Sequence, residues 1–103
     1  MSGLAKLSHT AAMILQAVSN GCNYGFDIMD ATGLPSGTVY PALRRMESEG
    51  WIASEWEPER KANAEQRPAR KYYQVTATGA EVLEASQQRY PLLGKLAAAK
   101  TRR

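Results

Sequence analysis

The stretch from Leu34 to Ile52 constrains the fold more than any other part of the chain. Leu34-Pro35-Ser36-Gly37 reads as a turn with Ser36 as a helix cap, and Gly50 reads as a stop, so a single helix from about Thr38 to Glu49 is predicted between them. Advancing about 100° per residue from Val39, Leu43 falls near +40°, Met46 near −20° and Ala42 near −60°, which makes one apolar stripe. The opposite side collects Gly37, Pro41, Arg44 and Ser48, flanked by Tyr40 and Arg45. One face is therefore built for a core, while the other offers small, aromatic and guanidinium groups to something outside it. The helix runs straight into Trp51-Ile52-Ala53-Ser54-Glu55-Trp56, which together with Lys71-Tyr72-Tyr73-Gln74-Val75-Thr76 has the aromatic and β-branched content of two antiparallel strands.

The flanking segments fill in the order of elements. Ser8 or Thr10 can cap a first helix with Ala11, Ile14, Leu15 and Val18 at spacings of three and four, ending at Ser19-Asn20-Gly21. Asn23 can cap a second, short helix from Tyr24 to Ala31 that offers Phe26, Ile28 and Met29 for burial and stops at Gly33. Residues 57 to 70 contain Pro58 and Pro68 and no apolar periodicity, so a long mobile hairpin tip is expected there. From Ala80 a last helix carries Val82, Leu83, Tyr90, Leu93, Leu96 and Ala97 roughly along one side, and Pro91 should kink or restart it. Helix, helix, helix, strand, strand, helix is the plan of a winged helix-turn-helix, mainly α with a small β-hairpin, extended by a C-terminal helix.

With 103 residues the chain has room for one small core. One cysteine and one histidine exclude an intramolecular disulfide and any multi-residue Cys/His metal site, so neither cofactor nor metal is expected. A nucleophile and base could come only from Cys22 and His9, which nothing in the sequence brings together; the chain reads as a non-enzyme, with both residues structural. No apolar run approaches the ~18 residues of a membrane span, and a soluble, cytoplasmic protein is expected. Charge placement says more than the total of 13 − 10 = +3. Arg60, Lys61, Arg67, Arg70 and Lys71 face a single acid, Glu65, between positions 60 and 71, so the hairpin tip has the positive character that phosphate contact requires.

Tyr24-Gly25-Phe26-Asp27-Ile28-Met29, the run from Gly37 through Tyr40-Pro41-Ala42-Leu43-Arg44-Arg45-Met46-Glu47 to Gly50-Trp51-Ile52, and Arg70-Lys71-Tyr72-Tyr73-Gln74-Val75-Thr76 with Gly79 resemble, in order, three motifs of the PadR family of transcriptional regulators. The resemblance spans about residues 8 to 90. It implies a homodimeric winged-helix repressor with a DNA-binding domain over residues 1–76 and a C-terminal dimerisation helix and basic tail over 77–103. It puts Ser36, Thr38, Tyr40, Pro41, Arg44 and Arg45 on the DNA-facing side of the third helix, Tyr24 near a phosphate, and Lys71 at the wing base. The chain departs from the family in Gln66-Arg67-Pro68-Ala69, where a glycine-rich turn is common, and in Pro91.

The expected partners are double-stranded DNA with a palindromic operator, a second copy of the chain, and a small-molecule effector seated between C-terminal helices; some family members take phenolic acids or hydrophobic drugs. The DNA-binding set is Tyr24, Ser36, Thr38, Tyr40, Pro41, Arg44, Arg45, Arg67, Arg70 and Lys71, and the dimerisation set is Val82, Leu83, Tyr90, Leu93 and Leu96. Each set has a plainer alternative. Arg45 can pair with Glu49, the wing cations can be a solvated loop, and Leu83 and Tyr90 can fold back on the first helix of the same chain. Trp51 is expected in the core, Trp56 packed on the hairpin, and Tyr72 and Tyr73 on opposite faces. The rival function is a dimeric winged-helix adaptor without DNA binding, which would lack the steep salt dependence of a DNA-binding protein.

Overall fold

The computed structural model describes residues 7–92. Its elements are α1 (His9–Ser19), α2 (Gly25–Thr32), α3 (Ser36–Ser48), β1 (Ile52–Trp56), α4 (Glu59–Ala64), β2 (Lys71–Val75) and α5 (Ala77–Arg89). The predicted helices and strands are all present, and α4 is an addition inside the expected loop.

α1 is the central element. Ser8 caps it by accepting the Ala11 N–H at 3.0 Å, and Ala12, Ile14, Leu15, Gln16, Ala17 and Val18 are all buried, so the helix is enclosed on more than one side. α2 and α3 pack against it as the helix-turn-helix, joined through Gly33, which takes the left-handed conformation (φ 75°) that ends α2. Asn23 does not cap α2. Its carbonyl instead accepts the Tyr73 N–H at 2.7 Å, and Tyr24 becomes the N-cap without a side-chain bond. Phe26 is not buried either. It lies about 200° around the helix from Ile28, so the two cannot share the inward face.

α3 buries Val39, Leu43 and Met46 as its wheel requires. Its start lies slightly earlier than predicted: Pro35 is the N-cap, Ser36 is the first helical residue, and the Pro35 carbonyl accepts from Thr38 and Val39 at 3.0 Å each. Pro41 sits inside the helix on the exposed face, where the bond its missing N–H forgoes faces water. The helix closes on Gly50 (φ 82°), with Gly50 N–H bonded to Glu47 and Trp51 N–H to Met46, a Schellman pattern that turns the chain directly into β1.

β1 and β2 pair antiparallel in the register Ile52↔Val75, Ser54↔Tyr73, Trp56↔Lys71. An isolated bridge between Tyr24 and Tyr72 ties the N-terminus of α2 to the outer side of β2. Along β1 the inward face runs from buried Ile52 through half-buried Ser54 to exposed Trp56, because the hairpin leaves the core as it lengthens. Trp56 is therefore 63% exposed rather than packed on the hairpin, whereas Trp51 is buried in the core. Tyr73 is buried and Tyr72 half-buried on the opposite face.

Thr76 pins the hairpin root. Its hydroxyl donates to the Gly50 carbonyl at 2.6 Å and accepts the Gly79 N–H at 3.0 Å, which caps α5 and ties it to the end of α3. α5 then runs back along α1. Gln87 donates to buried Gln16 at 2.7 Å, and the Tyr90 hydroxyl donates to the Leu7 carbonyl at 2.8 Å. Tyr90, the residue before Pro91, leaves the helix at φ −124°, ψ 89°, as a residue preceding proline must.

Candidate nucleic-acid interface

The outer face of α3 presents Ser36, Tyr40, Pro41, Arg44 and Arg45 to solvent, with Thr38 half-buried at its edge. Ser36 and Thr38 lie in the first turn, and Arg44 and Arg45 lie further along on adjacent sides of the face. The alternative Arg45–Glu49 ion pair does not form; Arg44 and Arg45 have no carboxylate within ion-pair distance among the described residues. Both guanidiniums are available.

Facing α3 across a trough of about 820 Å³ is the wing. Tyr24 and Phe26 from the start of α2, Tyr40 and Arg44 from α3, and Trp56, Arg70 and Lys71 from the hairpin line it. Arg70 lies over the Tyr24 ring, 4.2 Å from its centroid, and Tyr24 meets Tyr72 edge-on at 5.9 Å. Lys71 sits 5.9 Å from the Trp56 ring centroid, and its ammonium is 3.7 Å from Glu47 of α3. The Tyr73 hydroxyl, buried beneath, is pushed to a higher pKa first by that burial and then by Glu47. Gly25 lets this wall close: a Cβ there would overlap the Tyr40 ring, so only glycine allows α2 to meet Tyr40 at this point.

The expected mobile tip is instead a folded unit organised by a buried carboxylate. Glu57, its side chain 1% exposed, receives both terminal nitrogens of Arg67 at 2.7 and 2.8 Å, the Arg70 N–H at 3.2 Å and the Tyr72 hydroxyl at 3.2 Å. The fork of Arg67 is the main reason its carboxyl is held down at about 2, against the opposing effect of burial; the Arg70 N–H and Tyr72 hydroxyl add to it. The guanidinium is in turn stabilised in its charged form, first by Glu57 and further by Glu65 at 2.9 Å. Above this pair α4 forms a short helix with Ala62 buried under it, and Gln66 turns the chain back in the left-handed region (φ 57°).

Two site expectations change accordingly. Arg67 is not a free wing cation, because both faces of its fork are occupied by carboxylates and its side chain is only 18% exposed. Of the other wing cations, Arg60 and Lys61 on α4 are exposed, while Arg70, just before β2, and Lys71, at its start, are half-buried, Arg70 over the Tyr24 ring and Lys71 beside Glu47. In the dimerisation set, Val82 and Leu83 lie inside the chain's own core, and Tyr90 is spent on Leu7 and on an edge-on contact with His9 at 5.0 Å. Leu83 and Tyr90 thus face the chain's own core, as the plainer alternative had it, and Val82 joins them, because α5 covers α1. Leu93 and Leu96 fall outside the described residues.

The sequence reading missed Glu57, Phe26 and Trp56. Pro58-Glu59 ahead of Arg60-Lys61-Ala62 offers a helix start, but nothing in the sequence joins Glu57 to Arg67 ten positions on. Cys22 is buried, and among the described residues no cluster of His, Cys, Asp and Glu could hold a metal. No helix of the described residues is long and apolar enough to cross a membrane.

A family model described as the transcriptional regulator PadR-like family matches residues 14–85. No curated protein matches the chain. Among solved structures, a PadR family transcription regulator from hypervirulent Clostridium difficile is similar at 28% identity with a TM-score of 0.70, over 89% of this chain and 97% of the other. The Streptococcus mutans protein smu.1704 is similar at 25% identity and TM-score 0.67, over 88% and 80% of the two chains. A PadR-like transcription factor from Bacteroides fragilis shares the fold at 23% identity and TM-score 0.65, over 86% of each.

Proposed function

The chain belongs to the PadR-like family of transcriptional regulators, and from that premise we propose that it is a homodimeric repressor that occludes a promoter by binding a palindromic operator through α3 and the wing. Regulators of this family are generally non-enzymatic and bind DNA. The observation that carries the reading is the placement on the outer face of α3 of two guanidiniums, Arg44 lining the trough opposite Arg70 and Lys71 and Arg45 exposed beside it. Tyr24, Ser36, Thr38, Tyr40 and Pro41 complete the proposed DNA face, with Arg44 reading a base edge and the wing cations holding phosphates.

Residues 77–103 supply the dimer contact in this reading. With Val82 and Leu83 used internally, the contact begins beyond them, where Leu92 is 68% exposed. Two recognition helices related by a two-fold axis would meet half-sites one or two turns of DNA apart. Release by a small molecule acts through the same dimer, since an effector must bind two dimer geometries with different affinity.

Fluorescence anisotropy on the chain's own upstream intergenic DNA and on scrambled DNA of equal length tests this function. Tight binding to the first and weak binding to the second supports a sequence-specific regulator. Equal weak binding to both at low salt argues for the adaptor instead.

A further inference from the structure

Two large aromatic side chains beside the recognition helix are left in water. Phe26 is 69% and Trp56 63% exposed, and both line the same trough. One exposed ring is ordinary on a protein surface. Here the rings stand on different elements, Phe26 on α2 and Trp56 on the hairpin, with Arg44, Arg70 and Lys71 lining the space with them. Register places Trp56 directly opposite Lys71 at the far end of the hairpin, and the Arg70 guanidinium lies over the Tyr24 ring.

Rings interleaved with cations are the chemistry of a polyanion that carries flat or apolar faces between its charges. A sugar–phosphate strand alternates those two features along its length. A purely anionic partner would leave the rings unused, and an apolar partner would give Arg44 and Arg70 no counter-charge.

Resting on the DNA-binding reading above, we propose that the trough takes one sugar–phosphate strand of duplex DNA, with Phe26 and Trp56 against its deoxyribose and base-edge faces, Arg70 and Lys71 at its phosphates, and Arg44 reaching past it to a base edge. The rings act without charge. Their loss lowers affinity on every sequence and leaves the salt dependence as it was, which separates them from the cations around them.

The chain carries its own reporter, because Trp51 is buried and Trp56 is exposed. The experiment follows tryptophan emission and the anisotropy of a labelled mixed-sequence 30-bp duplex together, at low salt, for the full chain and for Trp56→Phe, Trp56→Ala and Phe26→Ala. The expected result is a change in emission on binding that Trp56→Phe abolishes. Trp56→Ala and Phe26→Ala should each weaken binding by roughly tenfold, with unchanged salt slope and far-ultraviolet dichroism. Binding by anisotropy with unchanged emission, and with both alanine variants at full affinity, overturns the inference while leaving the DNA-binding reading intact. No anisotropy change at any salt overturns that reading and the inference with it.

Discussion

Replacing Thr76 by alanine removes two bonds that hold the wing root in place. The first is the α5 cap, the 3.0 Å bond accepted from Gly79 N–H, and caps of this type contribute about 1 kcal/mol. The second is the 2.6 Å bond donated to Gly50; that carbonyl is exposed and rehydrates, so its loss costs about 0.5–1 kcal/mol. The Thr76 N–H bond to Trp51 at 3.0 Å is backbone and survives. The sum is about 2 kcal/mol, or a fall in Tm of roughly 8–16 °C for a domain of this size, read by thermal dichroism at fixed protein concentration. Thr76→Ser keeps the hydroxyl and should stay within about 0.5 kcal/mol of the parent. Thr76→Ala as stable as the parent, or Thr76→Ser as weak as Thr76→Ala, would refute the reasoning.

Further expectations concern the wing, the recognition helix and the α5 start. Glu57 has a carboxyl pKa of about 2 in the fold against 4.5 ordinarily, so the stability it contributes is present above about 4.5 and is lost as pH falls from there toward 2. Wing amides should lose exchange protection across that window, and Glu57→Gln should weaken protection at neutral pH and flatten the acid profile; an unchanged profile in the variant would assign the transition elsewhere. Arg44→Ala should weaken operator binding by about 1–3 kcal/mol, measured by titration, with a smaller loss on random DNA; equal losses would remove its base-reading role. Gly79→Ala places a Cβ on the Trp51 carbonyl oxygen and 3.0 Å from Val75 Cγ1, so urea unfolding should show a loss of about 1–3 kcal/mol where an open helix site would gain nearly 1. A stabilised Gly79→Ala would mean that α5 moves away from Trp51 and β2 freely.

The parts of the fold legible in the sequence are those set by local chemistry. α3 was readable to within about two residues at its start, because the Pro35 turn and Gly50 bound it and Val39, Leu43 and Met46 fall on one stripe. Its outward set of Tyr40, Pro41, Arg44 and Arg45 followed by exclusion from that stripe. α4 was not readable, since six residues without an apolar face are held by a carboxylate and a guanidinium ten positions apart, a tertiary bond that no window reveals. The same bond turned Arg67 from an apparent phosphate ligand into the wing's internal counter-ion. Periodicity found the apolar side of α5, but a wheel states that a face is buried without stating against what, and Val82 and Leu83 are buried on α1 of their own chain rather than on a partner. Trp56 misled because strand alternation gave its face correctly while the hairpin's departure from the core decided its exposure.

The salt dependence of DNA binding tests the central claim, that the α3 and wing face is a phosphate-binding surface, most directly. With Arg44 in the groove and Arg45, Arg70 and Lys71 at phosphates each displacing about one counterion, two protomers on one operator give a slope of log affinity against log salt of about −7. Replacing those four residues by glutamine should bring the slope close to zero while the fold persists. A parent slope already near zero, or a steep slope that the fourfold variant retains, would contradict the account.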